Sequence, residues 1–181
     1  MNKSTIKISL ILIIMMIPFI DAQAGWKQNL LNQDRCLELY RPQSKETASF
    51  CYWTKDKGLN RKGYAQANHI LRDVKYKKTV PIDPKLLDTL FILQQWLIIE
   101  GRSGEIHILS GYRTPEHNAS LKNSAKNSLH MKGLAADIHI PGTTTKLLAA
   151  MSTVIGSGGV GIYIKNNFVH IDTGNVRMWM N

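Results

Sequence analysis

The chain has 181 residues, with 23 Lys and Arg against 13 Asp and Glu and a formal net charge of +10. That length suits one domain with a real core, and the absence of a second long apolar run beyond the first twenty residues excludes a membrane-spanning body. The basic balance fits an anionic polymer or a membrane surface as partner.

At the start, Lys3 and Lys7 precede an uncharged apolar run, Ile8 to Ile20, and Ala22-x-Ala24 follows as a small-residue cleavage pattern. The run is short of the ~20 residues that cross a bilayer as a helix. Residues 1–24 are therefore expected to be a cleaved secretory signal, with an uncleaved anchor as the alternative. Cleavage leaves residues 25–181 as a periplasmic domain with no integral membrane segment. Nucleic acid would suit the charge, but export and the lack of a recognition motif argue against it.

Arg35 to Phe50 predicts a hairpin with its polar turn around Pro42 to Glu46. That register sets Cys36 opposite Cys51, and in an oxidising compartment a disulfide is expected over free thiols. Asp83-Pro84 caps a helix in which Leu86, Leu87, Leu90, Leu93 and Leu97 recur at helical spacing to about Ile99. Ile106 to Leu109 is a short strand. Thr114-Pro115 opens a second helix, Leu134 to Ile140 is a strand, and Thr143 to Ile155 is a third helix. Val160 to Ile164 and Phe168 to Asp172 then pair across Lys165-Asn166-Asn167. No repeat or linker divides the chain, so residues 25–80 serve as hairpin and lead-in and residues 81–181 as the core. The mixture without strict alternation predicts an α+β fold, a mainly antiparallel sheet flanked by helices.

The densest reactive segment runs from Ser128 through His130 and Asp137 to His139, followed much later by His170 and Asp172. Two imidazoles and one carboxylate leave a fourth tetrahedral position open, the donor set of a catalytic zinc site. Ordinary surface histidines beside a core aspartate would share the spacing.

The blocks Ser110-Gly-Tyr-Arg113, Asn127-Ser-Leu-His130, Gly133, Asp137 and Phe168-Val-His170-Ile-Asp172-Thr-Gly174 resemble the zinc D-Ala-D-Ala peptidase superfamily. Within it they are most similar to the YcbK-type (MepK-like) murein endopeptidases. Asn68 to Asp73, Pro81 to Pro84 and Arg177-Met-Trp179 extend the likeness over almost the whole mature chain.

The resemblance implies a Hedgehog-like peptidase fold, Zn2+ held by His130, Asp137 and His170, and peptidoglycan cross-links as substrate. It implies that Arg113 faces the site, binding substrate or an oxyanion; a structural salt bridge is the alternative. Ser128 is expected to organise the loop or touch substrate. Many relatives carry an acid three residues before the last zinc histidine; here that position is Asn167. Asp172 stands two residues after it, as the general base or as a partner orienting a ligand. The alternatives are a carboxypeptidase or dipeptidase on stem peptides, or a wall-binding module that keeps the zinc. Nothing in the sequence fixes an oligomeric state.

Overall fold

A computed structural model describes residues 25–181 of the protein, Asn123 excepted. The expected export signal, residues 1–24, lies outside the described residues. Residues 25–31 are helical (α1) and fall in a unit that ends at Gln33; Asp34–Asn181 form the second unit. Among the described residues no helix is long and apolar enough to cross a membrane.

In the second unit, β1 (Arg35–Arg41) and β2 (Glu46–Thr54) make the expected hairpin, with Cys36 opposite Cys51 and the two joined as a disulfide. A two-residue strand, β3 (Gly58–Leu59), pairs on the far side of β2. Helix α2 (Arg61–Ile70) is capped by the Asn60 side chain, which accepts from the N–H groups of Lys62 and Gly63. It lies almost against the backbone of β2: a Cβ on Gly63 would meet the Cys51 carbonyl oxygen at 1.9 Å.

Helix α3 (Pro84–Ile99) begins where the cap signal placed it, with Asp83 accepting from the Lys85 N–H. All five of its predicted leucines are buried, each removal from water worth about 1.5–3 kcal/mol. The buried Gln94 ties this helix to the sheet, accepting from the Glu38 N–H and donating to the Glu38 and Gly104 carbonyls.

The remaining elements are β4 (Ile106–Ser110), α4 (Pro115–Ser120), a 3-10 turn (Leu129–Lys132), β5 (Ala135–His139), α5 (Thr145–Ile155), β6 (Gly159–Tyr163), β7 (Phe168–Asp172) and β8 (Arg177–Met180). One 8-stranded sheet holds them in the order β3-β2-β1-β4-β5-β7-β6-β8. The sheet is mixed and not mainly antiparallel, because β1 pairs with β4 and β6 with β8 in parallel. The first parallel pair follows from the long crossover through α2 and α3, the kind of connection that parallel neighbours require.

The second arises where the chain leaves β7 and crosses the start of β6 to reach its outer edge. Gly158 donates to the Asp172 carbonyl and accepts from the Arg177 N–H at that crossing. The chains pass so closely that a Cβ on Gly158 would meet the Gly174 carbonyl oxygen at 2.0 Å.

Candidate metal centre and substrate cleft

Strand register builds most of the site. Ser110, Asp137, His170, Gly161 and Trp179 are successive cross-strand partners on β4, β5, β7, β6 and β8, so one row across the sheet carries them. Residues in such a row project to one face. Gly161 leaves room in the row: a Cβ there would meet the Trp179 ring at 2.5 Å. The indole therefore lies over Gly161, with its ring centre 5.3 Å from that of His170. Trp179 Nε1 donates to the Tyr163 hydroxyl at 3.1 Å.

His130 arrives from outside the sheet, on the 3-10 turn. Gly133 ends that turn in the left-handed region at φ 70°, and its carbonyl accepts from the Asp83 N–H. A Cβ at Gly133 would meet the Pro81 carbonyl oxygen at 2.7 Å, so the turn is seated against the lead-in to α3. The Arg113 N–H donates to the His130 carbonyl, fastening the other side.

His130 Nε2, His170 Nδ1 and Asp137 Oδ1 converge at 3.1, 3.2 and 2.9 Å from one another. The outer nitrogens decide what those atoms offer. His130 Nδ1 lies 2.7 Å from the Gly111 carbonyl oxygen, which only accepts, so the ring proton belongs there. His170 Nε2 faces Asp172 Oδ2 at 3.0 Å and carries its proton for the same reason. In neutral rings both inner nitrogens are then lone pairs pointing at a carboxylate oxygen. Three acceptors so close call for a cation among them. A tetrahedral zinc site with bonds near 2.0–2.1 Å has donor atoms roughly 3.3 Å apart, close to the distances found. The donor set and its spacing fit zinc.

The electrostatics agree. Burial pushes His130 below the ordinary histidine value, and Asp137 does not make up the difference, so this ring is neutral. Burial would raise the Asp137 carboxyl, but positive charge held between it and the two histidines, whether a proton or a cation, outweighs burial and keeps it far below the usual range. At His170 burial is outweighed by the Asp137 and Asp172 carboxylates, which raise the pKa of the ring above the ordinary histidine value.

Arg113 stands beside the cluster. Its Nε donates to Ser110 Oγ at 2.7 Å and its terminal nitrogen pairs with Asp137 Oδ2. Ser128 precedes the 3-10 turn and lines the cleft. Asp172 stands behind His170, buried at 1 % exposure. It accepts from the Gly159 and Gly174 N–H groups at 2.9 and 2.8 Å and from Arg177 at 2.6 Å. Burial would raise its carboxyl, but His170, Arg177 and Gly174 hold it low. Asn167 takes positive φ in the β6–β7 turn and accepts from Thr145 Oγ1. His139 faces His107 instead of the cluster, with ring centres 5.7 Å apart.

The cluster opens onto a cleft of about 840 Å³. Arg113, Lys122, Lys165 and Arg177 line it, and Asp137 is the only acidic side chain among its lining residues. The sequence resemblance includes Arg177 and Trp179 without assigning a role to either. Their signal was weak, since β8 is a short strand of exposed methionines around one tryptophan.

The comparisons with known proteins agree in kind. The model of the family described as peptidoglycan L,D-endopeptidase MepK matches residues 30–179. The peptidoglycan L,D-endopeptidase MepK of Escherichia coli K12 is 39% identical over 127 residues, covering 68% of each chain. The probable peptidoglycan L,D-endopeptidase MepK of Haemophilus influenzae is 33% identical over 127 residues, covering 68% of this chain and 67% of its own. No solved structure matches. With the family model matched over residues 30–179, this chain belongs to the MepK family of peptidases.

Proposed function

We propose that this protein is an exported, zinc-dependent endopeptidase that hydrolyses peptide cross-links of peptidoglycan in the periplasm. The observation that carries this reading is the convergence of two tautomer-fixed imidazoles and a carboxylate at the floor of a cationic cleft. The relatives' printed activity, peptidoglycan L,D-endopeptidase, supports that substrate and the L,D class of bond. Residues 1–24 are the export signal in this reading, and the mixed sheet with its helices is of the Hedgehog/D-Ala-D-Ala-peptidase type.

His130, Asp137 and His170 hold the metal, which supplies Lewis acidity for amide hydrolysis when bound. Gly111 and Asp172 fix the ring tautomers so that each imidazole presents a lone pair. Arg177 and two backbone N–H groups keep Asp172 ionised and still. It is thereby an orienting group with its oxygens already occupied, in preference to a general base. Arg113, which lines the cleft beside Asp137, would be placed to meet the substrate carbonyl. Trp179 and Phe168 wall the cleft with apolar surface, and Ser128 and Asn127 offer polar contacts at its rim.

One observation favours a second reading. Among the described lining residues no acidic side chain other than Asp137 stands in the cleft to serve as proton acceptor, as expected of a wall-binding module that retains its metal. Digestion of purified cross-linked peptidoglycan, read by mass spectrometry of the released muropeptides, separates the two. Cross-linked dimers converted to monomers, halted by a chelator and restored by zinc, establish the peptidase. Intact dimers after incubation with folded, zinc-loaded protein establish the binding module.

A further inference from the structure

The last residue of β1 is a cation that the proposed chemistry leaves unused. Arg41 is 2 % exposed and forms no ion pair with a described residue. One terminal nitrogen donates to Gln43 Oε1 at 3.3 Å and, at 3.5 Å, to the Arg72 carbonyl. Its Nε and its other terminal nitrogen are buried without a hydrogen-bond partner. A guanidinium stays charged in proteins, and a buried charge without a partner is costly to the fold.

The neighbouring acids do not serve it. Asp73 accepts from the N–H groups of Thr114 and Tyr76, and its oxygens lie 3.0 and 3.1 Å from His117 Nδ1. Asp137 is engaged by Arg113 and the two histidines. Burial, with help from Arg72 and against the pull of Asp73 and Asp137, lowers Arg41 only to about 10, so it remains a full cation.

Arg41 lines a cavity of about 400 Å³ together with Gln43, Ser110, Tyr112, Arg113 and His117. No acidic side chain is among its lining residues. Arg113 and Leu121 line both this cavity and the cleft of the metal cluster, so the two spaces adjoin along that wall. Two guanidiniums, two hydroxyls and an imidazole around one space form a receptor for an oxyanion, and Arg41 brings to it a full charge with two nitrogens still unbonded.

We propose that Arg41 is the anchor of a carboxylate subsite beside the metal cluster, taking a free carboxylate of the peptide substrate remote from the bond being cut. This rests on the peptidase reading and sharpens it: the substrate is selected by an ionised carboxylate held at a fixed distance from the scissile amide. The cross-linking peptides of peptidoglycan carry such groups at their branch points and chain ends. Arg41 is a binding residue in this arrangement, and the reaction itself stays with the cluster.

The test is equilibrium binding by calorimetry of a stem tetrapeptide with its carboxylates free, against the same peptide fully amidated, to the zinc-loaded protein. The wild type is expected to prefer the free acid by about 10- to 100-fold, the range for loss of charge-assisted hydrogen bonds. In Arg41→Met that preference should shrink by most of the same factor, and Arg41→Lys, which keeps the charge without the planar guanidinium, should fall between.

Equal affinity of the wild type for both peptides overturns the proposal without any variant. So does an undiminished preference in a folded Arg41→Met, which would mean that Arg41 is merely hydrated. If Arg41→Met does not fold, Arg41→Lys decides, with an unchanged preference counting against the subsite.

Cleavage assays on the same proteins keep the two readings apart. An Arg41-dependent preference in a protein that releases no monomers from cross-linked muropeptides would sink the peptidase and leave the subsite. Equal cleavage of free and amidated cross-links by wild type and Arg41→Met would sink the subsite and leave the peptidase.

Discussion

Asp137 and His170 stand directly opposite each other on neighbouring strands, with Asp137 Oδ1 2.9 Å from His170 Nδ1. Backbone pairing thus sets the spacing of two of the three converging donor atoms, and side-chain rotamers only refine it. The expected consequence is one zinc per chain, measured by elemental analysis of protein purified without added metal. Asp137→Ala should weaken zinc binding on the order of 100-fold or more and abolish cross-link cleavage while the sheet still forms. Full zinc occupancy in that variant would remove Asp137 from the ligand set.

Asp172→Asn separates an orienting role from a proton-transfer role. Its side chain can still accept from His170 but loses the ion pair with Arg177 at 2.6 Å. Zinc affinity should fall about 10- to 100-fold, the usual scale for a partner of a metal-bound histidine. At saturating zinc most of the turnover should return, with the shape of the pH–rate profile unchanged. Loss of a whole limb of that profile would instead make Asp172 the proton acceptor.

The disulfide closes a loop with a sequence separation of 15. Chain-entropy arguments give about 3 kcal/mol for a loop of that size. The paired Cys36→Ala, Cys51→Ala variant should lose roughly this much in chemical denaturation, lowering Tm by several degrees. Zinc affinity should stay within about twofold, because the hairpin contributes no atom to the cluster. A large loss of metal binding would show that the hairpin supports the site.

Asp73 gives the fold an acid limit. Burial works against its carboxylate, but the Thr114 and Tyr76 N–H groups and His117 outweigh it, so its folded pKa lies below the unfolded one. Its contribution is fully present above the unfolded carboxylate value of about 4 and is lost as pH falls through the folded value. Urea midpoints measured between about pH 5 and pH 2 should therefore drop more steeply for wild type than for Asp73→Asn. Parallel slopes would assign the acid limit to other groups.

Much of this was legible beforehand, for reasons tied to particular residues. Asp83-Pro84 followed by leucines at helical spacing describes α3, since cap chemistry and burial point the same way there. The hairpin turn fixed which residues oppose each other, and therefore the cysteine pair. Helix α2 escaped notice because it buries only Gly63, Ala67 and Ile70, and it packs by backbone approach at a glycine in place of an apolar stripe. The parallel edge pair escaped because the crossing of Gly158 and Gly174 is a relation between distant segments with no local period. Arg41 escaped for a further reason: an arginine at the end of an alternating strand looks like a solvated residue, and only the packed structure shows it enclosed.

The crossing at Gly158 and Gly174 also bears on the order in which the protein can become competent. The hairpin closes over a short stretch of chain and can form as soon as its own residues are free. The cluster, by contrast, needs Gly111 for one imidazole, Asp172 for the other, and Arg177 to hold Asp172, so it draws on segments from β4 through β8. In a chain that emerges N-terminus first, the hairpin residues are free to pair while the final strand is still unplaced. The cluster is complete only once β8 lies beside β6, so truncating or unzipping that last strand should cost the site more than it costs the hairpin.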